Sequence, residues 1–381
     1  MAENKEKKVL NVPNLRFPEF EGEWQENYVN EICNEFKSGK AIKADLILDV
    51  GTYPVFGGNG LRGYTSTYNH DGLFVLIGRQ GALCGNVRSV IGKTYITEHA
   101  IAVNGNNKSD TNFLHYLFLQ MDLGRFSDQS AQPGLAVNKL LKLKVITPRI
   151  DEQRKIANLL RLLDERIATQ NKIIEDLKKL KSAIIEVHYK QCEKHNIQVA
   201  DLGDPFNAGN LSKEDLSETG TRCILYGELF TTYGEIINEV INHTNTLKGM
   251  TLSKKGDLLF PSSTTVDAIS LIAPSVINVD NVVLGGDMFG IHIDSNYNAQ
   301  YLSYYFNHIA KRLLAKYAKG STIIHLHYKD IEQAELLLPN LDEQNRMANC
   351  LMLLDDKIGI ETAFLNLQIC KKNYLLRQMF I

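Results

Sequence analysis

The chain has 381 residues, of which 44% are hydrophobic and 23% are charged; these values exclude a disordered or fibrous protein and allow two or three folded domains. Its formal net charge of −2 is low for a protein that binds nucleic acid by itself through phosphate contacts, so any such binding would be shared with a partner. No segment reaches the ~18 consecutive apolar residues of a membrane span, and the first residues lack the apolar core of a signal peptide. Because the six cysteines are scattered and form no CxxC pair, we expect a cytoplasmic protein with reduced thiols.

The first part of the chain is an arm followed by a globular domain. Residues 1–28 form a polar arm in which Phe20 and Trp24 are expected to dock on a neighbouring surface. Residues 29–147 combine the glycine-rich turn FGGNG with the apolar segment LFVLIG and with NFLHYLFLQMDL, whose apolar spacing is helical. This combination predicts a mixed α/β domain.

A repeated segment follows this domain. PRIDEQRKIANLLRLLDERI, residues 148–167, and PNLDEQNRMANCLMLLDDKI, residues 339–358, are identical at 11 of 20 positions at an offset of 191. Each copy starts with a proline and an acidic pair, which is typical of a helix N-terminus. A period this long is not that of a solenoid and indicates a duplicated pair of domains.

Apolar residues continue through each copy in alternating steps of four and three, which predicts two long helices that form a coiled coil. The positions expected to pack in this seam, and to support partner docking, are Ile156, Leu160, Leu163, Ile167, Ile174, Leu177, Met347, Leu351, Leu354, Ile358 and Leu365. Polar residues interrupt both copies at matching places, first at Gln170 and Glu361 and then at Lys181 and Lys372. Polar seam positions often fix the register and the partner of a coiled coil.

The segment between the two repeats resembles the first domain more faintly. Residues 29–46 align with residues 199–216 at an offset of 170 with six identities in 18 positions. The second domain has therefore gained 21 residues internally, as expected if the two copies keep one frame and contact different targets. The predicted domains are an arm at 1–28, a first globular domain at 29–147, a central spacer helix at 148–190, a second globular domain at 191–338 and a C-terminal spacer helix at 339–381.

These elements predict an α+β protein with two α/β domains separated by two long helices. If the copies are related by a pseudo-two-fold axis, the helices run antiparallel and the domains lie at the two ends of a spacer of fixed length.

No motif for catalysis emerges from the sequence. A GxGxxG cofactor loop, a Walker loop and the Asn/Asp-Pro-Pro-Tyr/Phe tetrapeptide of amino-methyltransferases are all absent. His325 and His327 form an HxH pair without a third ligand at useful spacing, which favours structural or DNA-facing histidines over a metal site. Asp342 and Asp355 superficially match a nuclease motif, but they lie about 20 Å apart along one helix. We therefore predict neither a metal site nor a catalytic site.

Signals for DNA binding are more consistent. Arg and Gln side chains on tight glycine turns suit bidentate contacts to guanine and adenine, and glycine lets the backbone approach phosphates. In the second domain, Arg312, Lys316 and Lys319 are predicted to share one helical face before a Gly-Ser-Thr loop. The candidate DNA contacts are Lys37, Lys40, Asn59, Arg62, Arg79, Gln80, Gln129, Ser130, Gln132, Tyr226, Thr231, Thr232, Ser262, Arg312, Lys316, Lys319, Ser321, Thr322, His325 and His327.

On these residues the chain resembles the specificity subunits of type I restriction–modification systems. The likeness is carried by the two PxxDEQ…AN…LLD helices, by NVPNLRFPEFEGEW and KKNYLLRQMF near the termini, and by YPVFGGNGLRGYTSTYNHDGLFVLIGRQGALCGNV, ILYGELFTTYGE and AKYAKGST in the domains. The resemblance implies that each globule is a target-recognition domain for one half of a bipartite double-stranded DNA site. It further implies an antiparallel coiled coil that sets the gap and docks two methyltransferase subunits, and two motor-nuclease subunits that join them.

The resemblance assigns the chemistry to the partners. The chain itself is expected to bind no cofactor and no metal, whereas AdoMet, ATP and Mg²⁺ would serve adenine methylation and DNA translocation by partner subunits. It also implies a cytoplasmic, nucleoid-associated protein without a membrane partner.

Two other classes of function stay open on the residues alone. A coiled-coil adaptor with protein-binding domains would explain the repeated helices but not the Arg, Gln and Gly turns. A stand-alone enzyme would need a catalytic site that these motifs do not reveal. Adenine methylation at one bipartite sequence, given by the chain together with a methyltransferase subunit, would separate the specificity subunit from both.

Overall fold

The computed structural model describes residues 10–128 and 134–381. The chain divides into unit 1, Met1–Asn171 with Ala363–Ile381, and unit 2, Lys172–Thr362. Each unit holds one globular domain and one part of each long helix. Among the described residues, no helix is both long enough and apolar enough to cross a membrane.

Unit 1 begins with an α/β domain of short strands, because apolar runs alternate with glycine turns in its sequence. Its strands are β1 Gln25–Tyr28, β2 Cys33–Ser38, β3 Tyr53–Gly57, β4 Gly60–Thr65, β5 Leu73–Gly78, β6 Val87–Ile91, β7 Tyr95–Ile96, β8 Ala100–Gly105 and β9 Lys144–Thr147. Its helices are α1 Val29–Ile32, α2 Thr111–Gln120 and α3 Val137–Leu140, and the long helix α4, Ile150–Gln191, starts in this unit.

Strand β5 is central to the unit 1 domain. It pairs antiparallel with β6 and β8 in a four-stranded sheet of order β2-β8-β5-β6. Helix α2 covers one face of this sheet, so the run LFVLIG is buried from Phe74 onward. A second sheet of order β4-β3-β7 and the β1-β9 pair complete the domain.

Unit 2 contains the second α/β domain. Its strands are β10 His195–Gln198, β11 Gly203–Asn207, β12 Leu216–Ser217, β13 Thr221–Leu225, β14 Ile236–Ile237, β15 Asn242–Thr244, β16 Thr251–Leu252, β17 Asp257–Pro261, β18 Ser263–Thr264, β19 Ser275–Ile277, β20 Val283–Gly285, β21 Met288–Ile293, β22 Ile324–His325 and β23 Glu335–Leu338. Its helices are α5 Glu228–Thr231, α6 Ala268–Leu271, α7 Ala299–His308, α8 Lys311–Leu314 and α9 Tyr328–Ile331, and the long helix α10, Leu341–Gln378, starts here. The two larger sheets have the orders β11-β21-β17-β19-β14 and β12-β15-β13-β20-β16.

The two domains repeat the same plan, which confirms the internal duplication. Strand β1 pairs with β9 as β10 pairs with β23, and β2 pairs with β8 as β11 pairs with β21. The offset between equivalent elements is 170 at β1 and β10, 188 at α2 and α7, and 191 at β9 and β23. Most of the 21 additional residues of unit 2 therefore lie between the second strand of the domain and the helix α7, where β12, β14, β15 and β16 add to the sheets.

Both long helices start two residues after the proline of the repeated motif, and the glutamine of the motif makes the same contacts in both copies. Gln153 accepts the backbone N–H of Asp110 at 2.9 Å and donates to the Pro148 carbonyl at 2.9 Å. Gln344 likewise accepts the N–H of Asn298 at 2.9 Å and donates to the Pro339 carbonyl at 2.8 Å. Each glutamine thus ties the start of a long helix to the residue that caps α2 or α7.

The long helices pack antiparallel, as predicted. In unit 1, Lys372 of α10 lies against Asp164 of α4. In unit 2, Lys181 of α4 pairs with Asp355 of α10. His188 lies further along α4, and it meets Glu343, which lies nearer the start of α10, so the two helices run in opposite directions. The seam residues face inward: Ile156, Leu160, Leu163, Ile174, Met347 and Leu351 are buried and Ile167, Leu177, Leu354, Ile358 and Leu365 are half-buried. The six buried side chains are therefore covered by the chain itself, whereas the five half-buried ones stay partly accessible.

The N-terminal arm becomes part of unit 1. Trp24 is buried at 3% exposure, packs edge-on against Phe113 and donates its indole N–H to Glu152. Leu15 donates its backbone N–H to the Gln378 carbonyl at 2.9 Å, so the arm also contacts the end of α10. The residues after Trp24 form strand β1, and the folded domain therefore starts ahead of residue 29.

One helix prediction is wrong. The run from Gln300 to Thr322 was expected to place three basic residues on one helical face, but the structure divides it into α7, α8 and a 3₁₀ turn at Ala315–Tyr317. The break occurs where Ala310 donates to the Tyr305 carbonyl, five residues earlier, which closes a wider turn than an α-helix has. Lys319 lies beyond the last turn and pairs its backbone with His325.

Candidate nucleic-acid interface

In unit 1 several of the predicted contacts converge where β5 ends and β8 begins. The turn between β3 and β4 packs so closely that a Cβ on Gly58 would lie 2.7 Å from the His99 carbonyl. Arg79 donates its N–H to the same carbonyl at 2.9 Å, and the Gln80 side chain lies 3.1 Å from the His99 ring. We call Asn59, Arg62, Arg79, Gln80 and His99 the first edge.

The residue at the end of β5 also binds a more distant part of the chain. Leu135 donates its N–H to the Arg79 carbonyl at 2.9 Å, and Asp128 donates its N–H to Gly134 at 3.1 Å. These two hydrogen bonds, which we call the clamp, hold Asp128, Gly134 and Leu135 beside the first edge. The candidates Gln129, Ser130 and Gln132 lie outside the described residues.

Unit 2 contains the same clamp, made by backbone hydrogen bonds between residues that differ from those of unit 1. Leu326 donates its N–H to the Ser262 carbonyl at 2.9 Å, while Lys319 and His325 exchange backbone hydrogen bonds at 2.9 and 2.7 Å. Ser262 donates its own N–H to Asp287 at 2.8 Å, as Arg79 does to His99. Ser262 therefore takes the place of Arg79. Lys319, His325 and Leu326 take the places of Asp128, Gly134 and Leu135.

The surface around this second clamp carries several predicted contacts. Tyr226 packs against Gly286, beside Asp287, and the rings of His325 and His327 stack with centroids 6.1 Å apart. We call Tyr226, Asp287, Lys319, His325 and His327 the second edge. Lys319, His325 and His327 line an open cavity of about 450 Å³, and Ser321 and Thr322 are exposed in the loop above it.

A bracing ion pair lies beside each clamp, with its polarity reversed between the units. In unit 1, Asp128 pairs with Lys139 at 2.8 Å. In unit 2, Lys319 pairs with Asp330 at 2.5 Å. The hydrogen bond from Lys319 lowers the pKa of Asp330, so this carboxylate is charged near neutral pH. The clamp of unit 1 thus carries an anion, Asp128, where the clamp of unit 2 carries a cation, Lys319.

One candidate is corrected by its burial. Ser262 is only 3% exposed, so its hydroxyl does not reach a surface where DNA could contact it. Its role in the structure is to hold the loop through its backbone.

The remaining candidates are not joined to these two edges by any hydrogen bond or ion pair among the described residues. Lys37 lies on β2 and pairs with Glu35, and Lys40 follows this strand with its N–H bonded to Ile96. Thr231 and Thr232 lie at the end of α5 and are exposed. Arg312 of α8 lines a separate cavity with Glu186 and Ile269, and Lys316 is exposed on the following 3₁₀ turn.

Three polar residues at or near the first edge are not among those predicted from the sequence. His99 and Glu98 immediately precede β8, and the Glu98 carbonyl lies 3.5 Å from the Arg79 guanidinium. Arg88 of β6 lies against Gly60, and its buried Nε has no hydrogen-bond partner. The sequence did contain a signal for two of them. Glu98 and His99 immediately precede β8, and the polar residues Arg79 and Gln80 immediately follow β5. Because β5 and β8 are antiparallel neighbours, these two pairs lie side by side.

No metal-binding cluster accompanies these edges within residues 10–128 and 134–381, where no three His, Cys, Asp or Glu side chains are placed to hold an ion. The six cysteines are free thiols. What the arrangement offers is polar surface: guanidinium, amide and imidazole groups held on rigid strand ends.

The fold and these edges define a class of protein in which two α/β domains, each with a clamp at a polar strand end, alternate with two long antiparallel helices. A family described as type I restriction modification DNA specificity domain matches the chain twice, at residues 21–179 and 195–369. The chain belongs to this family and is a DNA specificity subunit with two target-recognition domains.

Individual relatives agree with this assignment. The chain is 39% identical over 186 residues to the type I restriction enzyme EcoprrI specificity subunit of Escherichia coli, a match that spans 46% of this chain and 45% of that protein. The crystal structure of a type I restriction-modification S subunit from M. genitalium has a similar fold, with a TM-score of 0.66, 17% identity and coverage of 97% of this chain and 99% of the other. A structure reported for complex assembly and conformational transition of the type I system has a TM-score of 0.56 at 14% identity, over 94% of this chain and 97% of the other.

Proposed function

We propose that the chain selects the DNA sequence for a type I restriction–modification complex, with each target-recognition domain reading one half of a bipartite site in double-stranded DNA. The observation that carries this proposal is the clamp built twice, from Leu135 on Arg79 and from Leu326 on Ser262. A frame that is kept while its side chains change is what two readers of different half-sites require. Side chains on rigid strand ends also suit base contacts, which lose affinity when donors are misplaced.

The readers proposed for the two halves differ in chemistry. The first edge offers Arg79 and Gln80, whose planar groups suit purine edges in the major groove. The second edge offers Lys319 with His325 and His327, which suit phosphates and single hydrogen bonds. The long helices would hold these readers at one separation and thereby set the spacer of the site.

Partner docking is proposed for exposed apolar residues outside the seam. Leu162 and Phe364 are 46% and 45% exposed in unit 1, where they line a groove of about 640 Å³. Their equivalents at an offset of 191, Leu353 and Ile173, are 70% and 40% exposed in unit 2. One such pair per unit supports the binding of two methyltransferase subunits in equivalent positions.

The chemistry would then belong to the partners. In this proposal the methyltransferase subunits use AdoMet to methylate adenine, and two motor-nuclease subunits use ATP and Mg²⁺. The specificity subunit would work in the cytoplasm on nucleoid DNA and contribute no catalytic group.

A domain exchange tests the proposal. The chain is expressed with its methyltransferase subunit in a host without adenine methylation, and modified adenines are mapped across the genome. We expect one bipartite sequence, and replacing residues 29–147 by the equivalent domain of another family member should change one half of it only. A change in both halves, or no methylation beyond that of the methyltransferase subunit alone, would contradict independent reading of the two halves.

A further inference from the structure

Polar side chains join the unit 1 domain to both long helices at one point. Tyr116 of α2, 4% exposed, donates its hydroxyl to Asp164 of α4 at 2.8 Å. Lys372 of α10 donates to the other oxygen of the same carboxylate at 2.5 Å, and its ammonium lies 5.8 Å from the Tyr116 ring. The Asp164 carboxylate is thus hydrogen-bonded to α2 through one oxygen and to α10 through the other.

Unit 2 contains the same arrangement. Tyr304 of α7 is fully buried and donates to Asp355 of α10 at 2.5 Å, while Lys181 of α4 donates to the second oxygen at 2.5 Å. Lys181 also lies 4.8 Å from the Tyr304 ring and 3.1 Å from Glu235, which accepts a hydrogen bond from His308 at 3.0 Å. The unit 2 lysine therefore has a second carboxylate.

The two triads occupy equivalent positions of the repeat. The two lysines are 191 residues apart, as are the two aspartates, and the two tyrosines are 188 apart. The lysines are also the polar interruptions of the coiled-coil seam. Each triad joins three elements that are far apart in the sequence: the domain helix, the long helix that follows that domain, and the other long helix.

Stability alone gives little reason to place these groups in the seam. The Lys181 and Lys372 side chains are 7% and 18% exposed, and those of Asp355 and Asp164 are 32% and 36% exposed. An ion pair largely removed from water regains little more than its desolvation cost, and apolar residues of similar volume usually stabilise a seam at least as well. A buried polar group with fixed partners does exclude other arrangements, because a shift in register leaves a charge without its partner. Burial, with the hydrogen bond to the aspartate, raises the pKa of Tyr116 and of Tyr304, so both hydroxyls remain donors.

We propose that the two Tyr–Asp–Lys triads fix the orientation of each target-recognition domain on its helix pair and thereby restrict the complex to one spacer length. This inference rests on the proposed function. Adding one base pair between two half-sites rotates one of them by about 35° and moves it by about 3.4 Å. A domain held by a triad cannot follow this movement, whereas a domain freed from it can.

Tyr116→Phe is the sharpest variant, because it removes the link to the domain and leaves the Lys372–Asp164 pair between the helices intact. Asp164→Asn weakens both links, and Tyr304→Phe and Asp355→Asn repeat the changes in unit 2. Glu175→Gln is the matched control: it removes a carboxylate from an exposed position of α4 that lies outside the proposed docking groove. Each variant is expressed with the methyltransferase subunit in a host without adenine methylation, and methylated sites are sorted by spacer length.

The unaltered chain and Glu175→Gln should methylate sites of a single spacer length. Tyr116→Phe and Asp164→Asn should methylate the same two half-sites and, in addition, sites one base pair longer or shorter, with discrimination between spacers reduced about tenfold, the effect of a contact of ordinary strength. Asp355→Asn should have the smaller effect of the two aspartate variants, because Lys181 keeps Glu235.

Unchanged spacer discrimination in folded Tyr116→Phe and Tyr304→Phe proteins would overturn the inference, as would altered half-site bases. Thermal unfolding of each variant verifies that it is folded. Failure of the proposed function looks different, because the unaltered chain would then direct methylation to no bipartite sequence.

Discussion

Unit 1 and unit 2 hold the start of a long helix with different side chains. In unit 1 the buried Glu152 receives two hydrogen bonds from Arg16 at 2.8 Å and a third from Trp24, both of the N-terminal arm. In unit 2 its equivalent Glu343 is more exposed and meets His188, from the end of α4, at 3.0 Å. Burial lowers the pKa of His188, with the nearby cations adding to the effect, so this contact is largely a neutral hydrogen bond at pH 7.

The same contrast is found at the recognition edges. Arg79 carries a guanidinium on the first edge, whereas Ser262 at the equivalent position of unit 2 is buried. The acidic and basic residues of the bracing ion pair also exchange places between the units. Backbone hydrogen bonds, capping glutamines and triads are repeated in both units. The comparison teaches that the duplicated frame depends on a few buried polar contacts, while surface charge is free to differ.

Replacing Glu152 should give the largest difference between the units. Glu152→Ala leaves the mostly buried Arg16 guanidinium without its carboxylate, so we expect a loss of about 3 kcal/mol in the free energy of unfolding. Glu343→Ala should cost about 1 kcal/mol, since its partners His188 and Arg346 are partly or mostly exposed and His188 is largely neutral. Chemical unfolding is followed by fluorescence of Trp24, the only tryptophan, for unit 1 and by circular dichroism for both units. Equal losses would show that the arm adds nothing to unit 1.

Acid should destabilise unit 1 first. Burial lowers the pKa of His115 from 6.5 to about 4, with Asp164 opposing and Lys372 supporting the shift. The folded state therefore disfavours the proton that the unfolded chain binds: stability is fully present above pH 6.5 and falls by at most about 3 kcal/mol as the pH decreases to 4.

In unit 2 the acid-sensitive group is Glu235. Burial would raise its pKa, but the hydrogen bond from His308 and the charge of Lys181 lower it to about 2. Its contribution is present above the ordinary value of 4.5 and is lost only as the pH falls from there towards 2. Melting of Trp24 fluorescence between pH 4 and 8 should thus show a decline that His115→Gln flattens and Glu235→Gln leaves unchanged. A decline untouched by His115→Gln would assign it to another group.

Arg79 offers the sharpest comparison of the two edges. Arg79→Ala should relax one base position of one half-site at a cost of about 1–3 kcal/mol, if the guanidinium makes a bidentate contact. Ser262→Ala, at the equivalent position, should leave the recognised sequence unchanged because this side chain is buried. Methylome mapping of both variants provides the measurement, and intact specificity in Arg79→Ala would reduce Arg79 to a scaffold residue.

The bracing ion pairs should give the smallest effects. Lys139 and Lys319 are both mostly exposed, so removing either should change stability by less than about 1 kcal/mol. Lys319→Ala should reduce the salt dependence of DNA affinity by about one phosphate contact, whereas Lys139→Ala should not. Binding isotherms at several salt concentrations separate the two, and equal slopes would remove Lys319 from the interface.

Much of the frame could be predicted from the sequence because it depends on local and repeated patterns. The steps of four and three through Ile156 and Leu160 predict a helix with one buried face, and the repeat predicts a second one. The sequence also pointed to Arg79 and Lys319 as DNA contacts, since both stand next to glycine turns; the structure places them on the two edges, and their contact with DNA stays a prediction. Contacts between segments that are distant in the sequence could be predicted less well.

The elements that could not be predicted depend on such distant pairing. His99 and Arg88 reach the neighbourhood of the first edge only because β8 and β6 lie on either side of β5. Ser262 was taken for a surface residue, because nothing local shows that Asp287 and Leu326 cover it. The break after α7 has no proline or glycine to mark it, and Ala310 at the break is buried in the same core cluster as Tyr304 and Tyr305.

The location of the bracing pairs has a consequence for inheritance. Asp128 and Lys139 both belong to the first domain, and Lys319 and Asp330 both belong to the second. A domain moved by recombination would bring both residues of its bracing pair. To the triad it would contribute only the tyrosine of α2 or α7, because the aspartate and the lysine belong to the long helices of the recipient. New sequence preferences could then arise in a single genetic exchange, without a period of compensating mutations.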